Sequence, residues 1–376
     1  MQSSVKMKKR YILMIILSFC TVQCRKQSEV EKIDVLLSSE KFSKAEETAR
    51  SRLSTKHSND EYLSKEPAKD RSVQFSNDRN RVVWTEGKQL QFRDLANPLS
   101  KTIGLNETAE NLSVSSDAEH ALISVSAANG TACRLLAVSI LEKKKSYLSE
   151  SFVHCKNQFG ISKDGTRIYY IMDSSLYTEE TSDTKNHKVL LDKKHFPETV
   201  HSVRNRYYFR PVGHNFLIFS GDAGAYNVYW LDVRKNALEK ITDAASPLFY
   251  YGSGKNAYFI RGHIGSLSAQ EISFSAYGRP VLSDSFAVNV RETVLWPVSE
   301  NNEFVSLVDG KAVLWAPGGK KKELPLLAKH IYLSARDNII YETSDGYLMK
   351  TSMDFSEEDW KALELYKKTK EKTGEK

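Results

Sequence analysis

Apolar and polar positions change rhythm along the chain. Between Glu29 and Leu53, the apolar positions Ile33, Leu36 and Leu37, then Phe42, Ala45, Ala49 and Leu53, recur at helical spacing. This predicts two short helices broken near Ser38 and Ser39. His57 to Asp70 is polar and reads as linker. From residue 71 the rhythm shifts to short apolar runs separated by polar turns, the pattern of strands. Past residue 352 the helical spacing returns. Ser356 is placed to cap a helix, Asp359 to complete a capping-box variant, and Phe355 to staple against Trp360. Ala362, Leu363 and Tyr366 follow, before a charged tail from Lys367 to Lys376.

The strand region repeats. Each unit has an apolar residue, an anchor that is often small, a polar turn, and an apolar strand six positions after the anchor. The clearest copies are Phe75 to Trp84 (FSNDRNRVVW), Val114 to Ile123 (VSSDAEHALI) and Ile161 to Tyr170 (ISKDGTRIYY). Anchors fall at 76, 115, 162, 210, 252, 298 and 333, with steps of 39, 47, 48, 42, 46 and 35 residues. A period of about 40–45 residues with several short strands per unit marks propeller blades. A twisted four-stranded sheet has two apolar faces and cannot be stable alone, so stacking sheets radially covers both. The expected fold class is therefore all-β, a β-propeller of seven blades with six or eight as the alternatives, with a short N-terminal helical segment and a C-terminal helix. The last unit shows strands around 331–333, 338–342 and 346–351. Its fourth strand is expected from residues near Tyr62 or Val73.

Two passages, ISKDGTRIYYI at 161–171 and NVYWLDVRKNALEKITD at Asn227 to Asp243, resemble the TolB-like and WD-type β-propeller repeats. The resemblance covers about residues 71–352 and is structural. It implies a module for protein–protein contacts and says little about chemistry.

The first twenty-four residues speak to location. Lys8, Lys9 and Arg10 precede a nine-residue apolar run from Tyr11 to Phe19. Spanning a bilayer takes about 20 such residues, so the run fits a signal peptide instead. Either Met1 or Met7 serves as its start. Thr21, Val22, Gln23 and Cys24 then lead directly into polar sequence, which resembles a bacterial lipoprotein signal; Cys20 is the rival site. The resemblance implies acyl chains on Cys24 and a membrane partner reached through that lipid anchor. Arg25, rather than an aspartate, follows it and implies the outer membrane of the cell envelope. The expected organisation is signal peptide 1–23, helical neck and linker 24–70, propeller 71–352, and helix with tail 353–376.

Export brings a disulfide-permissive compartment. Cys133 and Cys155 lie on two strand-like runs, and a hairpin centred on Lys144 sets them opposite each other. They are candidates for a disulfide, with two buried free thiols as the alternative. Two cysteines do not supply four ligands, so no metal site is expected.

Composition trims the remaining possibilities. The net charge is +7, but removing the leader leaves 50 basic and 47 acidic residues. That near balance gives no footprint for nucleic acid. No zinc-protease, P-loop or nucleophile-elbow motif occurs, and no cofactor is expected. Asn106, Asn111 and Asn129 open formal glycosylation sequons, which a secreted eukaryotic domain would use. One cluster stands out: His195, His201, Arg204, Arg206, Arg210 and His214. Guanidinium forks suit carboxylate or phosphate, so convergence of His201, Arg204, Arg206, Arg210 and His214 on a channel would bind an acidic ligand. The functional expectation is a lipid-anchored, protein-binding or scaffold propeller rather than an enzyme. The alternative is a propeller hydrolase or lyase acting on an acidic ligand at that cluster.

Overall fold

The computed structural model describes residues 29–373, apart from 39–40, 56, 58–59, 69–70, 127–131, 155–158, 173–174, 192–205, 213, 223–224, 245–249, 252–256, 264–265, 275–279, 289–295, 298–302, 317–319 and 334–337. The leader, Cys20, Cys24, Asn129, Cys155, His195, His201 and Arg204 lie outside the described residues. The chain divides into two compact units, one of residues 1–58 with 355–376 and one of residues 59–354.

In the larger unit the described strands form seven four-stranded antiparallel sheets. Six are sequential meanders. The seventh is completed by Glu61–Tyr62, which pairs with Leu348–Ser352. Of the two positions expected to supply that strand, Tyr62 does so, whereas Val73 opens the first sheet opposite Trp84. The closure is reinforced by side chains. Glu61 accepts from Lys350 Nζ at 3.2 Å and from Arg93, and Leu348 N donates to Ser64 Oγ at 2.8 Å. First strands of consecutive sheets touch, as Ala109–Val114 does both Val73–Phe75 and Gly160–Ile161. They therefore form the inner wall of a β-propeller.

Each apolar cluster bridges two consecutive sheets, and this explains the sequence of the second strands. In Arg167–Met172, Ile168 and Tyr170 pack toward the preceding sheet, while Tyr169 and Ile171 pack toward the following one. Phe216 and Ile218 face backward in Asn215–Asp222, and Leu217 and Phe219 face forward. Side chains alternate faces along a strand. With both faces covered, the strand reads as an unbroken apolar run rather than as alternation.

The repeated turn has a common geometry at the first three anchors. Ser76, Ser115 and Ser162 each donate Oγ–H to the aspartate two residues on, Asp78, Asp117 and Asp164. Each serine Oγ also accepts the N–H of the residue five positions on, at 3.0–3.1 Å. Each aspartate accepts a backbone N–H at 3.1 Å. The fourth position is left-handed in all three, with φ of 56° at Arg79, 56° at Ala118 and 70° at Gly165. Only Gly165 meets that need without a Cβ, and one built there would fall 2.2 Å from His120 Nδ1 in the neighbouring sheet. The fourth anchor departs from this form. Arg210 lies inside the first strand of its sheet, opposite Leu217, and the turn follows at 213–214. Ser115 is fully buried. Ser115→Ala is expected to cost about 1–2 kcal/mol by leaving the His120 N–H and the Asp117 carboxylate short of a partner. A urea midpoint lowered at unchanged slope is the expected reading.

The smaller unit holds α1 (Glu29–Ser38), α2 (Phe42–Thr55) and α3 (Glu357–Thr373). Ile33, then Ala45, Ala49 and Leu53, are fully buried at the expected helical spacing. The capping box at Ser356 and Asp359 forms: Asp359 N donates to Ser356 Oγ at 3.3 Å, and Ser356 N to Asp359 Oδ2 at 3.0 Å. Phe355 and Trp360 meet edge to face at 6.2 Å. The helix runs on to Thr373, through the stretch read from sequence as a charged tail. Thr369 is buried there, and Lys370 Nζ reaches Glu46 at 3.1 Å. The neck and the C-terminal helix, separate in the sequence reading, share one unit.

Candidate functional site

Every sheet is entered by its innermost strand, so the starts of those strands gather at one end of the ring. At that end the first, second and seventh sheets enclose a cleft of about 480 Å³. Arg71 and Ser72, leading into the first sheet, and Thr85 within it form one wall. Ala109 and Glu110 come from the start of the second sheet's first strand. Lys329, His330, Tyr332 and Glu342 come from the seventh.

Local pairing sets these groups. His330 lies directly opposite Glu342 in the ladder. Lys329 bonds the same residue twice, N to the backbone O at 2.7 Å and Nζ to Oε1 at 2.9 Å. The Glu342 side chain is almost wholly buried, a cost offset by that charge-assisted bond. Arg71 is fully enclosed; Nη1 donates to Gly346 O at 3.0 Å and Nη2 to Glu66 O at 3.1 Å. Glu86 Oε1 lies 3.6 Å from Nη2. Burial pulls the guanidinium below its ordinary value, while Glu86 and Glu342 push back. Burial, aided by Glu342, raises the Tyr332 phenol above its ordinary value, so it stays protonated. The cleft is thus polar, mixed in charge, and backed by a rigid ladder.

The opposite end of the inner strands is cross-linked by hydrogen bonds. Asn77 N donates to Ser116 O at 2.7 Å, and its Nδ2 reaches Pro211 O at 3.2 Å, tying the first sheet to the second and fourth.

The arginine–histidine cluster expected from sequence is only partly on view. Arg206 opens the strand Arg206–Val212 and Arg210 lies four positions on, while Tyr207 and Phe209 are buried on the face opposite Arg210. Arg210 folds over the Tyr208 ring at 5.7 Å and donates from Nη1 to Phe209 O at 3.3 Å. His214 is exposed in the turn after the strand. His201 and Arg204 lie outside the described residues. Strand periodicity thus turns Tyr207 and Phe209 away from Arg210, into the inter-sheet core.

Cys133 is fully buried and disulfide-bonded; Cys155 is outside the described residues. The hairpin register is corrected by the structure. Cys133 faces Val153: the turn at 140–143 alone would set it opposite position 150, and the irregularity between Arg134 and Leu135 moves it to 153. Among the described residues no three His, Cys, Asp or Glu side chains converge to hold a metal. No described helix is long and apolar enough to cross a membrane. The cleft residues went unnoticed in the sequence because Arg71 and Glu342 are 271 positions apart and follow no motif.

No protein-family model matches the sequence, and no curated protein does. Solved structures do match. The WD40 repeats of RRP9 are 8% identical, covering 80% of this chain and 98% of that one, with a TM-score of 0.50. The Cps50 (Swd1) β-propeller domain of Myceliophteria thermophila is 11% identical over 77% of this chain and 98% of that one, with a TM-score of 0.49. TolB from Acinetobacter baumannii is 13% identical over 75% of this chain and 66% of TolB, with a TM-score of 0.39. At 8% identity the likeness to the RRP9 WD40 repeats shows the fold alone, in agreement with the β-propeller that the sheets themselves build.

Proposed function

We propose that this chain is a lipid-anchored propeller of the bacterial cell envelope that binds a protein partner as a scaffold. The observation that carries the binding role is the polar cleft where three sheets meet at the entry end of the inner strands. Propellers offer such sites on a rigid frame, with specificity set by the side chains at the strand ends. Support for the location comes from the leader that ends at Cys24, and from Cys133 being disulfide-bonded, which suits an oxidising compartment. Cys155 is the proposed partner of Cys133 and Cys24 the lipidated residue. Arg25 directs the anchored protein to the outer membrane. Several acyl chains hold a protein at a bilayer without a spanning helix, at about 0.8 kcal/mol per buried CH₂.

Two measurements test this reading. Palmitate labelling is expected in the intact chain and lost in Cys24→Ala; labelling that persists removes the anchor. Affinity capture from envelope extract is expected to return one reproducible protein. Return of no partner, together with turnover of a small acidic compound abolished by Arg206→Ala or His201→Ala, transfers the assignment to a hydrolase or lyase.

A further inference from the structure

Within the cleft, one buried polar atom lacks a partner: the Nε–H of Arg71. The two terminal nitrogens of this enclosed guanidinium are committed to the carbonyls of Gly346 and Glu66. A buried N–H without an acceptor destabilises the folded chain, and what would relieve it is an oxygen bearing lone pairs. The surrounding groups favour the same ligand. Glu342 already accepts from Lys329, Glu110 from Ser126, and the Thr85 hydroxyl oxygen from Ser72 N. Each of these groups thus already holds one donor, while Arg71 Nε keeps a donor without an acceptor and His330 is exposed. A guanidinium is the side chain best matched to a carboxylate. The volume of about 480 Å³ far exceeds one carboxylate and suits a side chain presented with its flanking backbone.

We propose that this cleft receives an acidic side chain from a peptide segment of a protein partner, with its carboxylate on Arg71 Nε and His330 flanking the entry. The inference rests on the protein-binding reading above and names the chemistry recognised there.

The test uses the full chain in detergent and a fluorescein-labelled hexapeptide, Gly-Ser-Asp-Glu-Ser-Gly, with its amide counterpart, Gly-Ser-Asn-Gln-Ser-Gly. The acidic peptide is expected to bind and to shift the Arg71 Nε–H resonance in a transverse-relaxation-optimised spectrum; the amide peptide is expected to bind at least tenfold more weakly. Arg71→Gln is expected to lose at least tenfold in affinity. Because Arg71 also ties two carbonyls and its loss can unsettle the fold, His330→Glu serves as the second variant. It adds a negative charge at an exposed rim position and is expected to weaken the acidic peptide alone. Equal binding of the two peptides, an unmoved Arg71 resonance, or succinate binding as tightly as the acidic peptide overturns the proposal. A captured envelope partner that binds Arg71→Gln and His330→Glu undiminished also overturns this site while leaving the scaffold reading intact. Failure to capture any partner removes the scaffold reading without touching the peptide result.

Discussion

Asp359→Asn is expected to destabilise the helical unit by about 3–5 kcal/mol, the cost of stripping one partner from a buried ion pair. Asp359 is completely buried at the third position of α3. Its Oδ1 accepts from Arg52 Nη2 at 2.8 Å and Nε at 3.2 Å, and His57 Nδ1 lies 3.5 Å away. Its Oδ2 accepts from Ser356 N and Oγ at 3.0 and 2.7 Å. One carboxylate thus caps α3 and binds it to α2. The amide retains an acceptor but leaves the Arg52 side chain, which is only 13% exposed, with the exposed Glu358 at 3.5 Å as its remaining charge partner. The described helices all belong to this unit, so ellipticity at 222 nm reads it directly. A melt at that wavelength unchanged by the substitution refutes the argument.

The same carboxylate predicts a pH dependence. Burial alone would raise its pKa, but the bonds from His57, Ser356 and Arg52 prevail and hold it well below the usual range. A depressed folded pKa gives stability that is complete above the ordinary value of 3.8 and fades as pH falls beneath it toward the folded one. The helical signal of the intact chain should therefore weaken on acidification below that value, and Asp359→Asn should lack this component of the loss.

Phe216→Ala is expected to cost about 3–5 kcal/mol, the range for truncating a buried aromatic. Phe216 is 1% exposed and lies between the third and fourth sheets, with its ring 4.8 Å from Tyr169 and 6.0 Å from Phe209. Beneath it is Gly160, where an added Cβ would fall 2.7 Å from the Phe216 ring. The absent methyl at Gly160 is the space into which Phe216 fits. With the ring removed, a glycine has no side chain to relax into the void. Gly160→Ala alone is expected to cost about 1–3 kcal/mol through overpacking. The double variant should cost less than the two single costs added, since alanine at 160 fills part of the cavity and no longer meets the ring. Strict additivity in that cycle would show that the two residues do not share the interface.

The outline of the fold was legible because its signals are local. The serine anchors at 76, 115 and 162 stand at the heads of near-identical turns, since Ser and Asp side chains can satisfy the backbone within five residues. The capping box at Ser356 and Asp359 was legible for the same reason. Anchor 210 was misplaced onto a strand because the six-residue step survives there without the serine that defines the turn. The Cys133 register was offset because the turn falls at 140–143 rather than about Lys144, a displacement that the irregularity between Arg134 and Leu135 only partly undoes.

What the chain determined by itself was period, turn chemistry and the two-sided apolar strands, all set by contacts among near neighbours in sequence. Tertiary structure alone decided that Glu61–Tyr62 completes the seventh sheet, since two residues carry no periodicity and their pairing depends on where six preceding sheets deliver the other end. It alone brought Arg71 to Lys329, His330 and Glu342. Their meeting is fixed by the accumulated twist and stacking of every sheet between them, a long-range sum that no local pattern encodes.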